Sequence, residues 1–172
     1  ESGVLQNSKQ ILSAYGLNES MVDAKYLSYT DAAKAMKNGN LDAFFCTAGT
    51  PTRAITEISD DIKLIPIDGT VANRLTEQYN GYVKHTIKAN TYDGQTEDIE
   101  TLDVKMVLIA SDKMSDNRVK SITKNIFGNS NKFGFAKDDT FDMNFATENV
   151  TIPFHKGASE YYAENGVNVA TE

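Results

Sequence analysis

Apolar positions along the chain recur in two rhythms that alternate with one another. In SKQILSAYG, residues 8–16, Ile11, Leu12 and Tyr15 share one helical face, and Gly16 suits the left-handed residue that closes a helix. AKYLSY, residues 24–29, has the length and aromatic content of a strand, and Thr30 and Asp31 can cap the helix AAKAMKN, which Gly39 ends. LDAFFCTAG, residues 41–49, is nearly continuous in apolar character, as expected of a strand covered on both faces. Gly49, Thr50 and Pro51 then open a helix with Pro51 in its first turn and Ile55 and Ile58 on its inner face.

IKLIPI, residues 62–67, reads as a third strand whose Pro66 marks an edge or an end, and Asp68-Gly69 makes the turn after it. Val71, Leu75 and Tyr79, at i, i+4 and i+8, predict a helix. Residues 81–100 read as a short strand plus loop. TLDVKMVLIAS, 101–111, is the clearest strand. SDNRVKSITKNIFG, 115–128, is the clearest helix, with Ser115 as cap, Val119, Ile122 and Ile126 as its stripe and Gly128 at its end. A polar stretch over 129–140 carries Phe133 and Phe135, and a last helix includes ASEYYAENG, closed by Gly166. Strands alternating with helices predict an α/β fold with a largely parallel sheet.

Composition narrows the function. The 172 residues suit one domain or two small lobes, and 40% hydrophobic residues supply a core. Seventeen Lys and Arg against 24 Asp and Glu leave a net charge of −7, which argues against nucleic acid or an anionic membrane surface as partner. The single cysteine, Cys46, cannot make an internal disulfide and lies in an apolar run where a buried, inert thiol is expected. The longest apolar runs fall far short of the roughly 18 residues of a membrane helix. An opening on Glu1-Ser2-Gly3 reads as a mature protein or a piece of one.

Open α/β sheets collect ligands at the loops that leave the carboxyl ends of their strands. Two loops answer to that description: Ser2-Gly3 ahead of the first helix, and Cys46 to Thr52 after the buried strand. Both are small, rich in hydroxyls and free of Asp and Glu. Such loops suit the acid end of a ligand better than an ammonium, which would want a carboxylate partner. The plainer alternative is that Thr50 caps a helix and Pro51 starts it. Arg53 is expected to face solvent, opposite Ile55 and Ile58. Asn90, Thr91 and Tyr92, with Gly94 and Gln95, can line a pocket, or Tyr92 can sit as an ordinary strand-edge tyrosine.

Catalytic patterns are scarce. His85 and His155 lack zinc-site spacing, and the glycines at 49, 69, 81 and 94 are too scattered for a phosphate or dinucleotide loop, so no cofactor or metal is expected. Cys46 served by a histidine is the enzymatic alternative, but a thiol in an apolar run has a raised pKa. Glu97, Asp98 and Glu100 lack the alternating ligands and turn glycine of a calcium loop and read as a solvated acidic turn.

Several phrases, taken in order, resemble one family: SG at the start, YLSYTDAAKAMKNGNLDAFFCTAGTPTRAI, IPIDG, TIKANTYDGQTEDIETLDV, SITKNIF and IPFHKGASEYY. They are similar to the TAXI family of extracytoplasmic solute receptors that serve TRAP-type transporters. The resemblance implies a two-lobed, type II periplasmic-binding-protein-like α/β fold that closes on a small carboxylate, such as an amino or organic acid, and docks on the transporter's membrane subunits. It places Ser2 and Gly3 in a first ligand loop, Thr47, Gly49, Pro51 and Thr52, with Thr50 between them, in a second, and Tyr92 near the hinge. Val4 stands where the family usually has Thr, and Lys156 where Pro is common.

Members of that family are considerably longer, so the resemblance implies the carboxyl-terminal part of a receptor: the second lobe plus the C-terminal segments of the first. Residues 1–100 are then expected to form ligand-binding lobe 2, and 101–172 a hinge-crossing strand and the C-terminal helices of lobe 1. The expected compartment is periplasmic or otherwise extracytoplasmic, with a signal peptide outside this chain. A ligand-sensing domain of a signalling protein can use the same fold, and a Cys46-dependent hydrolase or transferase is the enzymatic rival.

Overall fold

In a computed structural model of the chain, residues 2–132 and 142–171 are described. The chain divides into two compact units, Glu1–Lys105 and Met106–Glu172.

The first unit begins with α1, Gly3–Ala14. It starts five residues before the apolar pattern at Ser8 predicts, because Ser2 takes the N-cap and its hydroxyl accepts from the Leu5 amide at 3.3 Å. Gly16, at φ +74°, closes it as expected. Helix α2, Tyr29–Lys37, is capped by Ser28 rather than by Thr30 or Asp31. The Ser28 hydroxyl accepts from the Asp31 amide at 3.2 Å and donates to the Asp31 carboxylate at 2.6 Å, an acidic N3 residue folded back on its cap. One turn, α3, covers Arg53–Thr56, and α4 covers Gly69–Gln78. Asp68 caps α4, its carboxylate accepting from the amides of Thr70 at 2.9 Å and Val71 at 3.4 Å.

Strands β1, Tyr82–Ile87, and β2, Ile99–Val104, pair antiparallel with Tyr82 opposite Val104 and Ile87 opposite Ile99. This corrects the expected parallel sheet. The loop over 88–98 returns the chain directly beside itself, whereas a parallel pair needs a longer crossover. The core of the unit gathers Val71 and Leu75 of α4 with Tyr82, packed against Ile11, Ala14, Ile67, Tyr79, Leu102 and Val104. The stripe read from α4 therefore faces the sheet and α1, and the Arg74 guanidinium ties α4 to α1 through the carbonyl of Ala14.

Three expected strands are not strands. Residues 41–49 and 62–67, and 24–29 up to Tyr29 where α2 begins, lie outside helix and sheet, and Tyr26 and Ile65 are 70% and 77% exposed. The Ile67 amide does reach the Glu100 carbonyl at 2.9 Å, a single bond to β2. An apolar or aromatic run favours strand backbone, but a ladder needs a second strand paired along it, and among the described residues these runs have no more than that single bond. The predicted strand over 101–111 likewise stays paired only to Val104, and Met106, Leu108 and Ile109 are exposed.

The second unit packs α5, Asp116–Gly128, against α7, Lys156–Glu164, with the short α6, Met143–Thr147, between them in sequence. Ser115 holds the cap position of α5 without a side-chain bond, and Gly128 falls inside the helix, with Asn129 at its end. Val119 is buried, and Phe127, Tyr161, Tyr162 and Phe154 form a ring cluster with centroids 5.7 to 6.1 Å apart. The close approach of the helices depends on Gly157, where a Cβ would run into the backbone carbonyl of Asp116. His155 caps α7, Nδ1 accepting from the Gly157 amide at 3.1 Å, so Nε2 carries the hydrogen donated to the Met114 carbonyl at 3.0 Å. Gly166, at φ +84°, follows the helix as predicted. Phe133 and Phe135 lie outside the described residues.

Candidate functional site

Of the residues singled out in the two loops, Thr47 is tied to α1 and Tyr29, and Thr52 to Tyr92. Ser2 caps α1, which leaves the Gly3 and Val4 amides without an intrahelical acceptor at the positive end of a twelve-residue helix. Gly3 and Asn7 share a face of α1, one turn apart. Asn7 Nδ2 donates to the Thr47 hydroxyl at 3.3 Å, which brings the second loop to the first helix.

Thr47 is exposed yet held at three points. The Tyr29 hydroxyl, at the start of α2, donates to the Thr47 carbonyl and accepts from the Thr47 amide, each at 3.0 Å. Asn7 is the third. The segment around Thr47 lacks a sheet ladder, and side chains supply the backbone partners that a neighbouring strand would. Cys46 also hydrogen-bonds Tyr29, and burial pushes its thiol pKa up, the direction opposite to that of a nucleophile.

Tyr92 is buried and its hydroxyl accepts from the Thr52 amide at 3.0 Å. It is set there by Gln95, whose carbonyl accepts from the Tyr92 amide at 3.3 Å while its NH₂ serves the carbonyls of Ile87, Lys88 and Glu97 at 2.9 to 3.2 Å. Gly94, at φ +77°, allows the loop to turn tightly enough for this. Tyr92 is thus a latch on the second loop, not a bare strand-edge residue.

The end of that loop departs from expectation. Pro51 precedes the helix instead of starting it, because Thr52 supplies the first helical acceptor, receiving from Ile55 at 3.1 Å and Thr56 at 3.0 Å. Helix α3 is four residues long, so the positive helix end anticipated behind Thr50 and Pro51 is too short to act on an anion. Thr50 does not cap it, and Thr52 holds the cap position without a side-chain bond. Gly49, Thr50 and Pro51 are exposed. Arg53 faces solvent as predicted and pairs with Glu57 at 2.6 Å. Ile55 and Ile58 are buried.

Asn7, Gln10, Tyr29 and Tyr82 are absent from the residues chosen by sequence. Gln10 and Asn7 sit at i, i+3 on α1, and that polar spacing on an otherwise apolar helix face was the available signal. A cleft of about 270 Å³ lies beside Tyr92, walled by Ile55, Ser59, Leu64 and Ile99, and of the stretch expected to line a pocket Tyr92, Gly94 and Gln95 stand on its wall while Asn90 and Thr91 do not. A cleft of about 420 Å³ in the second unit, bordered by Pro153, Phe154 and Ala170, holds none of them. Among the described residues no three His, Cys, Asp or Glu side chains are grouped as a metal site. No described helix is long and apolar enough to cross a membrane.

The mixed helix and sheet frame agrees with what comparison with family models returns: a match over residues 1–166 to a periplasmic solute-binding group with the periplasmic-binding-protein-like α/β fold. This defines the class as solute-binding, related to the receptors of TRAP and ABC transporters and generally non-enzymatic. The chain belongs to the NMT1-like family.

Proposed function

We propose that the protein is the extracytoplasmic receptor of a TRAP-type secondary transporter, of the TAXI kind, and that it binds a small carboxylate such as an amino or organic acid. Ser2, Gly3, Thr47, Gly49, Thr50, Pro51, Thr52 and Tyr92 form one wall of the site. Residues 1–100 act as the ligand-binding lobe, and 101–172 as the hinge-crossing strand and helices of the other. Closure of the lobes on the ligand shifts a hinge equilibrium that the membrane subunits read.

The observation that carries this reading is the treatment of Thr47. An exposed threonine whose backbone is fixed by Tyr29 and whose hydroxyl is fixed by Asn7 presents an ordered polar group to solvent, beside loops with no carboxylate. Ordering a surface hydroxyl costs conformational entropy, which is recovered when a ligand meets a preorganised group. Free amides at the start of α1 suit a carboxylate, and no side chain of the two loops would repel one.

Isothermal titration calorimetry of the receptor against L-glutamate, L-glutamine, succinate and pyruvate, with putrescine as an amine lacking a carboxylate, tests the reading. Saturable heat with at least one acid and none with putrescine is the expected result. Binding of putrescine alone, or of none of the acids, overturns it.

A further inference from the structure

Among the described helices that take a side-chain cap, α7 alone takes it from a histidine, and the others use Ser, Asn or Asp. A hydroxyl, an amide or a carboxylate stays an acceptor between about pH 5 and 8, whereas an imidazole takes up a proton within that range. The His155 ring has its chemistry settled by two backbone groups. Its side chain is 12% exposed. Nδ1 lies 3.1 Å from the Gly157 amide, which can only donate, and Nε2 lies 3.0 Å from the Met114 carbonyl, which can only accept. Turning the ring over would set carbon against both, so the neutral ring with its hydrogen on Nε2 is the one form that makes both bonds. A proton added at Nδ1 meets the Gly157 amide donor to donor, at the positive end of a nine-residue helix.

A second partner for that proton is already in place. Asp116 Oδ1, in the first turn of α5, lies 3.9 Å from Nδ1, too far for a hydrogen bond but close enough to attract an imidazolium. Asp116 Oδ2 faces the Lys156 ammonium at 3.4 Å, so one carboxylate oxygen is engaged by α7 and the other is turned to the ring. One turn further along the seam, Lys120 of α5 pairs with Glu160 at 3.7 Å and Glu164 at 2.6 Å, both of α7. The helices meet where a Cβ on Gly157 would run into the Asp116 carbonyl, so the ring can exchange one partner for the other without travelling far.

We propose that His155 is a pH-operated clasp on α7. The neutral ring accepts from Gly157 and holds the first turn of the helix. The protonated ring takes one proton from solvent, gives its Nδ1 hydrogen to Asp116 and releases the Gly157 amide. The first turn of α7 then loosens, while α5 and α7 stay packed through Phe127, Tyr161 and Tyr162.

Hydrogen exchange of the full chain by NMR, each rate divided by that of an unstructured peptide at the same pH, tests the clasp. Protection of the Gly157 amide is expected to fall about fivefold between about pH 7.5 and 5.5, the worth of one helix cap, with α1 and α4 unchanged. His155→Asn keeps a capping side chain that does not titrate, and the fall is expected to vanish. His85→Asn removes the exposed histidine of β1, and the fall is expected to stay. Asp116→Asn takes away the partner of the charged ring and is expected to move the midpoint of the fall to lower pH. Proton–nitrogen correlation of the parent at about pH 8 is expected to show the ring hydrogen on Nε2. Equal protection at the two pH values, the same fall in His155→Asn, an unchanged midpoint in Asp116→Asn, or a hydrogen on Nδ1 of the neutral ring overturns the proposal. If His155→Asn does not fold, the tautomer of the parent ring and the acid loss of Gly157 protection decide it.

Discussion

Tyrosines are put to opposite uses in the two units. In residues 2–105 the Tyr79 and Tyr82 rings pack in the core, but three other hydroxyls are latches on loops: Tyr15 accepts from the Asp68 amide at 2.8 Å, Tyr29 takes both backbone groups of Thr47, and Tyr92 accepts from Thr52. In residues 106–171 the rings do the holding, Tyr161 and Tyr162 packing on Phe127 and on each other, with Phe154 against Tyr162. Ring packing is non-directional and stabilises by area, whereas a hydroxyl latch stabilises little but fixes one loop conformation. The first unit therefore invests in geometry and the second in burial.

The comparison breaks first in the second unit. Tyr162→Ala removes a ring that touches three others and is expected to cost about 3–5 kcal/mol, on the scale of other large aromatic truncations. Gly157→Ala drives a methyl into the Asp116 carbonyl and, by prying α5 from α7, is expected to cost about 1–3 kcal/mol. Chemical denaturation followed by hydrogen exchange of peptides from α5 and α7 checks both. Protection lost equally in α1 and α4 would contradict a local effect.

Hydroxyl removal sharpens the contrast. Tyr92→Phe leaves the Thr52 amide without its acceptor and is expected to cost about 1 kcal/mol, with faster exchange in residues 46–56. Tyr161→Phe keeps every ring contact and is expected to stay within about 0.5 kcal/mol of the parent. Equal losses for the two variants would erase the distinction between latch and ring.

The same distinction explains what could be read from the sequence. Helix α4 was legible because Val71, Leu75 and Tyr79 state its period within nine residues, whereas Asp68, expected in a turn, proved to be its cap. The buried pair Ile55 and Ile58 and the exposed Arg53 were legible for the same local reason. Residues 24–29, 41–49 and 62–67 misled because an apolar run records a preference for extended backbone but not whether a partner strand is present. β1 was half hidden, since YVKHTI carries two charged or polar residues at its centre and declares itself only through its register with β2. Thr47, Thr52 and Tyr92 were chosen for their residue types and loop positions. The residues that hold Thr47, Asn7 and Tyr29, come from 40 and 18 positions away, and hydrogen bonds over such separations leave no periodic trace.

High pH is the gentlest probe, because it leaves neutral-pH stability untouched. Burial raises the pKa of Tyr29, Tyr82 and Tyr92 in the first unit, and of Tyr162 in the second, above the ordinary value of 10.0. With the folded pKa raised, each contributes stability that is complete below about pH 10 and is lost as the pH climbs through the folded value, where the unfolded chain holds fewer protons than the native one. The consequence differs by latch. Tyr29 donates to the Thr47 carbonyl and loses that bond as a phenolate, whereas Tyr92 only accepts from Thr52 and keeps its bond when ionised. Tyr29→Phe is therefore expected to make the alkaline fall in stability shallower as the pH rises above 10.0, the ordinary tyrosine value. Urea melts at a series of pH values measure the slope. With three such tyrosines against one, the first unit carries the larger share of it, and a slope unchanged by Tyr29→Phe but abolished by Tyr162→Phe would reverse the assignment.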